Sequence, residues 1–127
     1  MCGKINIYVL KMQRIFNRLK IRDEKGKKLN EDGLISESYN FAIREFQRIT
    51  MVEEMEILSA TELIISKPLI KLGDCSFVIK YLQWFLKINI NGKVDSKTQA
   101  EIFKFQSKKL IATDGIVGKE TWGKIIG

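Results

Sequence analysis

The chain reads Asn91-Gly92-Lys93-Val94 in its second half and Asp32-Gly33-Leu34-Ile35 in its first half. Each phrase runs, at the same spacing, into a Phe-Gln pair, which is Phe105-Gln106 in the second half and Phe46-Gln47 in the first. Self-similarity at a fixed spacing is the signature of a repeated structural unit. We therefore interpret the chain as one module that is present twice.

A helical pattern precedes each phrase. Apolar residues and one glutamine recur at positions i, i+3, i+4 and i+7, which lie on one face of an α-helix. The residues are Val9, Met12, Gln13 and Phe16 in the first half, and Ile79, Leu82, Gln83 and Leu86 in the second. The pattern predicts an all-α fold of two tandem three-helix modules packed together, residues 1–66 and 67–127.

Capping residues and breakers place the helices of the first module. A helix is expected at roughly residues 5–20, followed by a second from Ser36, whose side chain is a natural N-cap. Ser59 and Glu62 form the pattern of a capping box for a short third helix. Lys67-Pro68 ends that helix, because proline cannot continue the hydrogen-bond ladder.

The second module repeats this plan. Its helices are expected at roughly residues 75–89, 96–109 and 119–126. Their first turns are expected to be entered through Asp74, Asp95 and Gly118.

The second module ends with Asp114-Gly115-Ile116-Val117-Gly118-Lys119-Glu120-Thr121-Trp122. This ending, after the Leu-Gln and Phe-Gln helices, resembles the small helical peptidoglycan-binding domain that accompanies phage endolysins, amidases and spore-cortex enzymes. The resemblance covers residues 72–127 well and residues 7–65 more loosely.

The chain also departs from the family pattern. Val94-Asp95 and Ile35-Ser36 stand where family members commonly have a Phe-Gly pair. In the first module, residues 56–61 replace the ending and lack both of its glycines.

The resemblance implies a non-catalytic module that binds peptidoglycan and targets a lytic enzyme, such as an endolysin or autolysin, to the bacterial wall. It places the contact surface in the second module, and the expected ligand-binding residues are Asn91, Gly92, Gln106, Asp114, Gly115, Gly118, Thr121 and Trp122. Two structural alternatives stay open. The recurring glutamines, Gln13, Gln47, Gln83 and Gln106, could instead tie down neighbouring turns, since a buried amide needs partners. Trp122 could be a core residue rather than a platform for a sugar.

The helix at 75–89 is apolar nearly all round, and such helices are normally buried on both sides. Beyond the face that carries Ile79, it presents Tyr81, Trp84 and Ile88. We predict that these three residues form an interface with the first module or with a second copy of the chain. An assembly module that dimerises through this face is accordingly one alternative function.

Charge is uneven along the chain. Residues 67–127 hold eleven lysines against five acidic residues, whereas residues 1–66 hold eleven cations against ten. Lysines are hydrated point charges that suit diffuse attraction to a polyanion, such as teichoic phosphates or stem-peptide carboxylates of the wall. A small basic nucleic-acid-binding domain is the other alternative, and it is disfavoured because residues 67–127 contain no arginine.

Composition argues against catalysis. The chain has no histidine, which removes the usual general base, the common zinc ligand and any Ser-His or Cys-His pair. Its acidic residues occur at expected caps, turns and exposed helix positions, and not as a buried pair for glycoside hydrolysis. We expect no enzyme activity, no metal and no cofactor. Cys2 and Cys75 are expected to be free thiols, with Cys75 a small buried residue.

No stretch approaches the length of a membrane-spanning helix, and residues 1–8 do not have the pattern of a secretory signal. The expected location is the bacterial cell wall. Three origins fit: a fragment of a larger protein, a phage lysin released from the cytoplasm through a holin pore, or a separate product translated from an internal start. The expected partners are peptidoglycan, anionic wall polymers and a separate catalytic domain.

Overall fold

The computed structural model describes residues 5–127 of the chain. Cys2 lies outside these residues, so its predicted state as a free thiol stays a prediction. Within the described residues there are six α-helices, one short 3-10 turn at Glu54–Glu56 and no strand, which confirms the predicted all-α class. The helices are α1 (Ile7–Arg18), α2 (Glu37–Thr50), α3 (Ile57–Ile65), α4 (Phe77–Leu86), α5 (Ser96–Lys108) and α6 (Lys119–Ile126).

The chain divides into two compact units, of which the first ends at Arg48 and the second is Ile49–Gly127. The division falls inside α2, and α3 belongs to the second unit. The predicted module boundaries, 1–66 and 67–127, stay a prediction. No helix among residues 5–127 is long and apolar enough to cross a membrane.

The first unit is built on the apolar face of α1. Met12 and Phe16 are fully buried, and the ring of Phe16 lies 5.8 Å from the ring of Phe46 on α2. Asn6 caps α1 by accepting the amide of Tyr8 at 2.8 Å. Ser36 caps α2 by accepting the amide of Tyr39 at 3.1 Å, as the sequence predicted. The caps satisfy backbone donors that a helix leaves unpaired at its first turn.

The core of the second unit centres on two aromatic residues. Tyr81 of α4 and Trp122 of α6 are fully buried, and their rings stack with centroids 6.3 Å apart. The indole Nε1 of Trp122 donates a hydrogen bond of 2.7 Å to the carbonyl of Pro68. A buried tryptophan whose polar atom is satisfied stabilises a core by about 3–5 kcal/mol relative to alanine. This observation supports the interpretation of Trp122 as a core residue.

Two helix starts differ from the prediction. The 3-10 turn at Glu54–Glu56 leads directly into α3, so Ser59 lies inside the first turn and its hydroxyl donates to the carbonyl of Glu56. The predicted capping box at Ser59 is therefore wrong, because the N-cap of α3 is Glu56, three residues earlier. The N-cap of α4 is Ser76 and not Asp74, whose carboxylate accepts the amide of Lys71 in the preceding turn. Asp95 and Gly118 are the N-caps of α5 and α6, as predicted.

Cys75 also differs from the prediction. It lies in the extended segment before α4, where it pairs with Lys93 in an isolated β-bridge, and it is exposed rather than buried. Its thiol is free, as expected.

The first five helices share one kind of C-terminal end. The residue that follows each helix, or lies one position further, adopts a left-handed conformation with φ between 60° and 66°, although none is glycine. Non-glycine residues pay a steric cost in this region. These residues are Lys20, Met51, Lys67, Lys87 and Leu110.

Candidate functional site

The turn between α4 and α5 is held by one buried side chain, Gln83. Its carbonyl Oε1 accepts the backbone amides of Asn91 at 3.0 Å and of Gly92 at 2.8 Å. Its Nε2 donates to Asn91 Oδ1 at 2.8 Å, to the carbonyl of Lys93 at 3.0 Å and to Thr98 Oγ1 at 3.0 Å. Both ends of the amide are thus satisfied although the side chain is fully buried.

The turn between α5 and α6 has the same design around Gln106. Its Oε1 accepts the amide of Gly115 at 2.9 Å, and its Nε2 donates to Asp114 Oδ1 and to the carbonyl of Ile116, both at 3.0 Å. A third bond of 3.1 Å reaches Thr121 Oγ1. In both turns the Asn or Asp follows the glutamine by eight residues and the threonine follows it by fifteen. We call these two arrangements the glutamine-held turns.

The helix α5 takes part in both glutamine-held turns, since it carries Thr98 of the first and Gln106 of the second. A comparison of the two halves of the chain does not reveal this overlap, because the overlap relates successive hairpins within one half. The signal was present in the sequence. Residues 91–98 read NGKVDSKT and residues 114–121 read DGIVGKET, twenty-three residues apart.

A related turn lies in the first unit. Gln13 accepts the amides of Asp32 at 3.1 Å and Gly33 at 2.8 Å, and it donates to Asp32 Oδ1 and the carbonyl of Leu34. Tyr39 occupies the position that threonine has in the second unit, and burial, with a smaller contribution from Tyr8, raises the pKa of Tyr39 to about 12. The interpretation that the recurring glutamines tie down turns is therefore confirmed for Gln13, Gln83 and Gln106. Gln47 is half-buried, and no Asx-Gly turn follows it at the matching spacing.

Glycine is required in both glutamine-held turns by backbone geometry. Gly92 and Gly115 have φ values of 77° and 74°, a region that other residues adopt only with strain. A Cβ at Gly115 would also lie 2.9 Å from Cζ of Phe103. Each glycine amide is buried against a glutamine carbonyl, so neither N–H faces outward to bind a ligand.

Carboxylates in these turns are stabilised in their ionised form. The backbone amide of Ile116 is the main cause that lowers the pKa of Asp114; desolvation opposes it, and the side-chain amide of Gln106 lowers the pKa further. The backbone amide and then the hydroxyl of Thr98 lower the pKa of Asp95, which also accepts a bond from Asn91. Hydrogen bonds donated to a carboxylate favour its charged form. These groups are therefore suited to hold turns and not to act as general acids at neutral pH.

An open groove of about 500 Å³ lies beside the first glutamine-held turn. We call it the amide groove, because Asn89 and Asn91 border it. One wall is the connection after α4 and the other is the N-terminal half of α5, so the groove offers amide, hydroxyl and charged groups around small apolar surfaces. Its lining consists of Ile88, Asn89, Asn91, Asp95, Ser96, Lys97, Thr98, Ala100 and Glu101.

Residues 78–125 match the family model named "Putative peptidoglycan binding domain". The peptidoglycan-binding domain found in this segment contains α5, most of α4 and α6, both glutamine-held turns of the second unit and every residue of the amide groove. The first unit lies outside the match. No curated protein and no solved structure matches the chain.

The residues predicted to bind ligand fall at four places in the peptidoglycan-binding domain. Asn91 and Gly92 belong to the first glutamine-held turn, and of the predicted set only Asn91 lines the amide groove. Gln106, Asp114, Gly115 and Thr121 come together in the second turn, where Asp114 alone is exposed. Gly118 is half-buried at the N-cap of α6, and Trp122 lies in the core. Binding by this set stays a prediction, and Asn91 and Asp114 are its two most accessible side chains.

The three predicted interface residues differ in how deeply they are buried. Tyr81 is fully buried against Trp122 within its own unit. Trp84 is half-buried, with its ring 5.7 Å from that of Tyr81, and Ile88 borders the amide groove. An interface with the first module or with a second chain stays a prediction. Among residues 5–127, no cluster of three acidic or cysteine side chains could hold a metal ion.

Proposed function

We propose that this chain is a non-catalytic cell-wall module whose second unit binds peptidoglycan through the amide groove. The observation that carries the proposal is the match of residues 78–125 to a peptidoglycan-binding domain, and the amide groove lies wholly inside that segment. By this proposal the module targets a lytic enzyme, such as an endolysin or autolysin, to the bacterial wall. Its place of action is the outer side of the cell, where that enzyme meets its substrate.

The chemistry of the amide groove suits a glycan that carries short peptides. Asn89, Ser96 and Lys97 are exposed there and present an amide, a hydroxyl and an ammonium group. Such groups bind the hydroxyl, acetamido and carboxylate groups of a polar polymer. Ile88 and Ala100 add apolar surface that can contact sugar ring carbons or alanine methyl groups. Ligand grooves commonly combine apolar lining with a few placed polar groups.

The first unit has a smaller cavity beside its turn than the second unit has. The cavity beside its own turn, next to Gln13 and Tyr39, measures about 160 Å³, roughly a third of the amide groove. By this proposal the first unit is a diverged copy that adds a second, weaker contact to the same polymer. Two weak contacts on one chain raise the retention of the whole protein by avidity.

The substitution Ala100→Trp tests this proposal. Ala100 is exposed on α5 and lines the amide groove, so an indole there would occupy the space that the ligand needs. We expect Ala100→Trp to weaken sedimentation of the protein with insoluble peptidoglycan by about tenfold, the loss of roughly 1.4 kcal/mol of contact. The peptidoglycan is stripped of teichoic acids and the assay is run at high salt, so that diffuse charge attraction is screened.

The matched control is Ser107→Trp. Ser107 is exposed on the same helix but lines no described groove, so the same added side chain should leave retention unchanged. Both variants should keep the helical circular dichroism of the parent. Equal retention of Ala100→Trp and the parent would rule out the amide groove as the site. No retention of the parent itself would rule out peptidoglycan binding.

A further inference from the structure

A second groove of the second unit, of about 320 Å³, is rich in positive charge. It lies between the C-terminal end of α4 and the C-terminal half of α5. We call it the lysine groove, because four of its eight lining residues are lysines and only one is acidic. The lining residues are Phe85, Leu86, Lys87, Glu101, Lys104, Phe105, Lys108 and Lys109.

The floor of the lysine groove is aromatic. The rings of Phe85 and Phe105 meet edge to face, with centroids 5.7 Å apart, and both residues are half-buried. The ammonium group of Lys109 lies 5.7 Å from the centre of the Phe105 ring, within the range of a cation–π contact. The groove therefore combines an apolar surface with cations at its border.

Most of this charge has no acidic partner among residues 5–127. Glu101 pairs with Lys104 at 3.2 Å, whereas Lys87, Lys108 and Lys109 form no ion pair with the residues that the structure describes. Lys104 and Lys108 are also four residues apart on one helix, where like charges repel. A bound anion would relieve this repulsion, so the groove is electrostatically complementary to a negatively charged ligand.

We propose that the lysine groove binds a phosphodiester-linked anionic wall polymer of the teichoic acid type, as a single extended strand. Phosphates along such a strand would meet the ammonium groups, while its sugar or alditol carbons would contact Phe85 and Phe105. The wall setting of this ligand rests on the proposed function. A nucleic acid is disfavoured, because residues 49–127 contain no arginine and the groove is too small for a duplex.

The position of the lysine groove agrees with this ligand. It adjoins the amide groove along one side of α5, where Lys97, Glu101, Lys104 and Lys108 follow one another at helical spacing, and Glu101 borders both grooves. A protein docked on the wall could therefore contact peptidoglycan with one half of α5 and the anionic polymer with the other half.

The test compares two triple variants that remove the same charge. Lys87→Gln/Lys104→Gln/Lys108→Gln removes three cations from the lysine groove, and Lys93→Gln/Lys119→Gln/Lys124→Gln removes three exposed cations outside both grooves. The probe is purified poly(glycerol phosphate), and its binding is measured by calorimetry at physiological salt. We expect about a tenfold loss of affinity in the groove variant, as three surface ion pairs imply, and at most about a threefold loss in the control.

Three results would overturn this proposal: no binding of the probe by the parent, an equal loss in both variants, or displacement of the probe by duplex DNA at equal phosphate concentration. Retention on stripped peptidoglycan is measured in parallel. If the parent binds stripped peptidoglycan but not the probe, this proposal fails and the proposed function stands. If it binds the probe but not stripped peptidoglycan, the proposed function fails and the lysine groove is still a site for a phosphodiester polymer.

Discussion

At the scale of single residues, three glutamines supply hydrogen-bond partners that the turn residues themselves cannot supply. An Asx-Gly turn exposes its own side chain to water, yet the amides of Gly92 and Gly115 are buried and require an acceptor. A glutamine one helix earlier supplies that acceptor and uses its own NH₂ group to bind the other side of the turn. Gln83 and Gln106 thereby connect a helix, the turn and the start of the next helix, whereas Gln13 connects its helix to the turn alone.

The substitution Gln106→Leu tests the strength of this arrangement. Leucine fills a similar volume but leaves the buried amide of Gly115 and the hydroxyl of Thr121 without their partner. We expect the free energy of unfolding to fall by about 2–4 kcal/mol, because unsatisfied buried polar groups carry their full desolvation cost. Urea denaturation measures the change. Gln47→Leu is the control, and since Gln47 is not followed by a comparable turn it should change stability by less than about 0.5 kcal/mol.

Asp114 gives the second turn a titratable carboxylate at the position where the first turn has Asn91. The pKa of Asp114 is lowered in the folded chain, first by the amide of Ile116. The folded state therefore favours the carboxylate, so its stabilising effect is present above the unfolded pKa and is lost as pH falls through the folded pKa. We expect Asp114→Asn to keep stability near pH 7 and to reduce the loss of stability below about pH 4.

Denaturation curves of Asp114→Asn and the parent at pH 7 and pH 3 test this expectation. Glu120→Gln is a suitable control, because Glu120 is exposed and its carboxylate bonds the amide of Ala112 and not Gln106 or the amides of Gly115 and Ile116. A parallel loss of stability on acidification in Asp114→Asn and the parent would show that the Asp114 carboxylate does not contribute.

At the scale of helices, the C-terminal ends of the first five helices are strained, because a non-glycine residue has a positive φ there. Leu110 follows α5 with φ 60°, and its side chain is 92 % exposed, so no packing compensates for the left-handed conformation. We expect Leu110→Gly to stabilise the protein by about 0.5–1 kcal/mol, since glycine adopts this conformation without steric cost. Lys104→Gly, in the middle of the same helix, should destabilise it by about 1 kcal/mol. Thermal melting of the two variants should therefore show shifts of opposite sign.

Helix positions were largely predictable because apolar spacing and capping residues are local signals. Asp95 and Gly118 were recognised as N-caps from their types alone. The start of α3 was not recognised, because a 3-10 turn has no distinct sequence pattern and placed Ser59 inside the helix. The left-handed ends at Lys20 and Leu110 were also missed, since lysine and leucine give no signal for positive φ.

The candidate site was less predictable than the helices. The sequence predicted both turns and offered Trp122 as a possible core residue. It could not show that the backbone amides of Gly92 and Gly115 point inward to a glutamine. Neither groove was foreseen, because each combines residues from α4 or its C-terminal connection with one face of α5. Grooves depend on how helices cross, which periodicity does not specify.

At the scale of the whole chain, the boundary between the two units, at residues 48 and 49, differs from the point near residue 67 after which the positive charge is concentrated. Residues 49–66 hold four glutamates and no cation, so the second unit is far less basic than residues 67–127 considered alone. The lysines remain concentrated locally, and four of them border one groove. Local arrangement, and not net charge, is therefore the relevant electrostatic property of this unit.

The hydrogen bond from a turn glycine to a glutamine is also compatible with large differences in the length of the loop between the two residues. Gln13 reaches its turn nineteen residues later and Gln83 reaches its turn eight residues later, yet both make equivalent hydrogen bonds to the glycine amide. The longer loop is held separately, by Asn17 bonded to Leu29. The segment between Lys87 and Ile90 is thus a natural place for insertions. Added residues there would lengthen the rim of the amide groove while the framework stays unchanged.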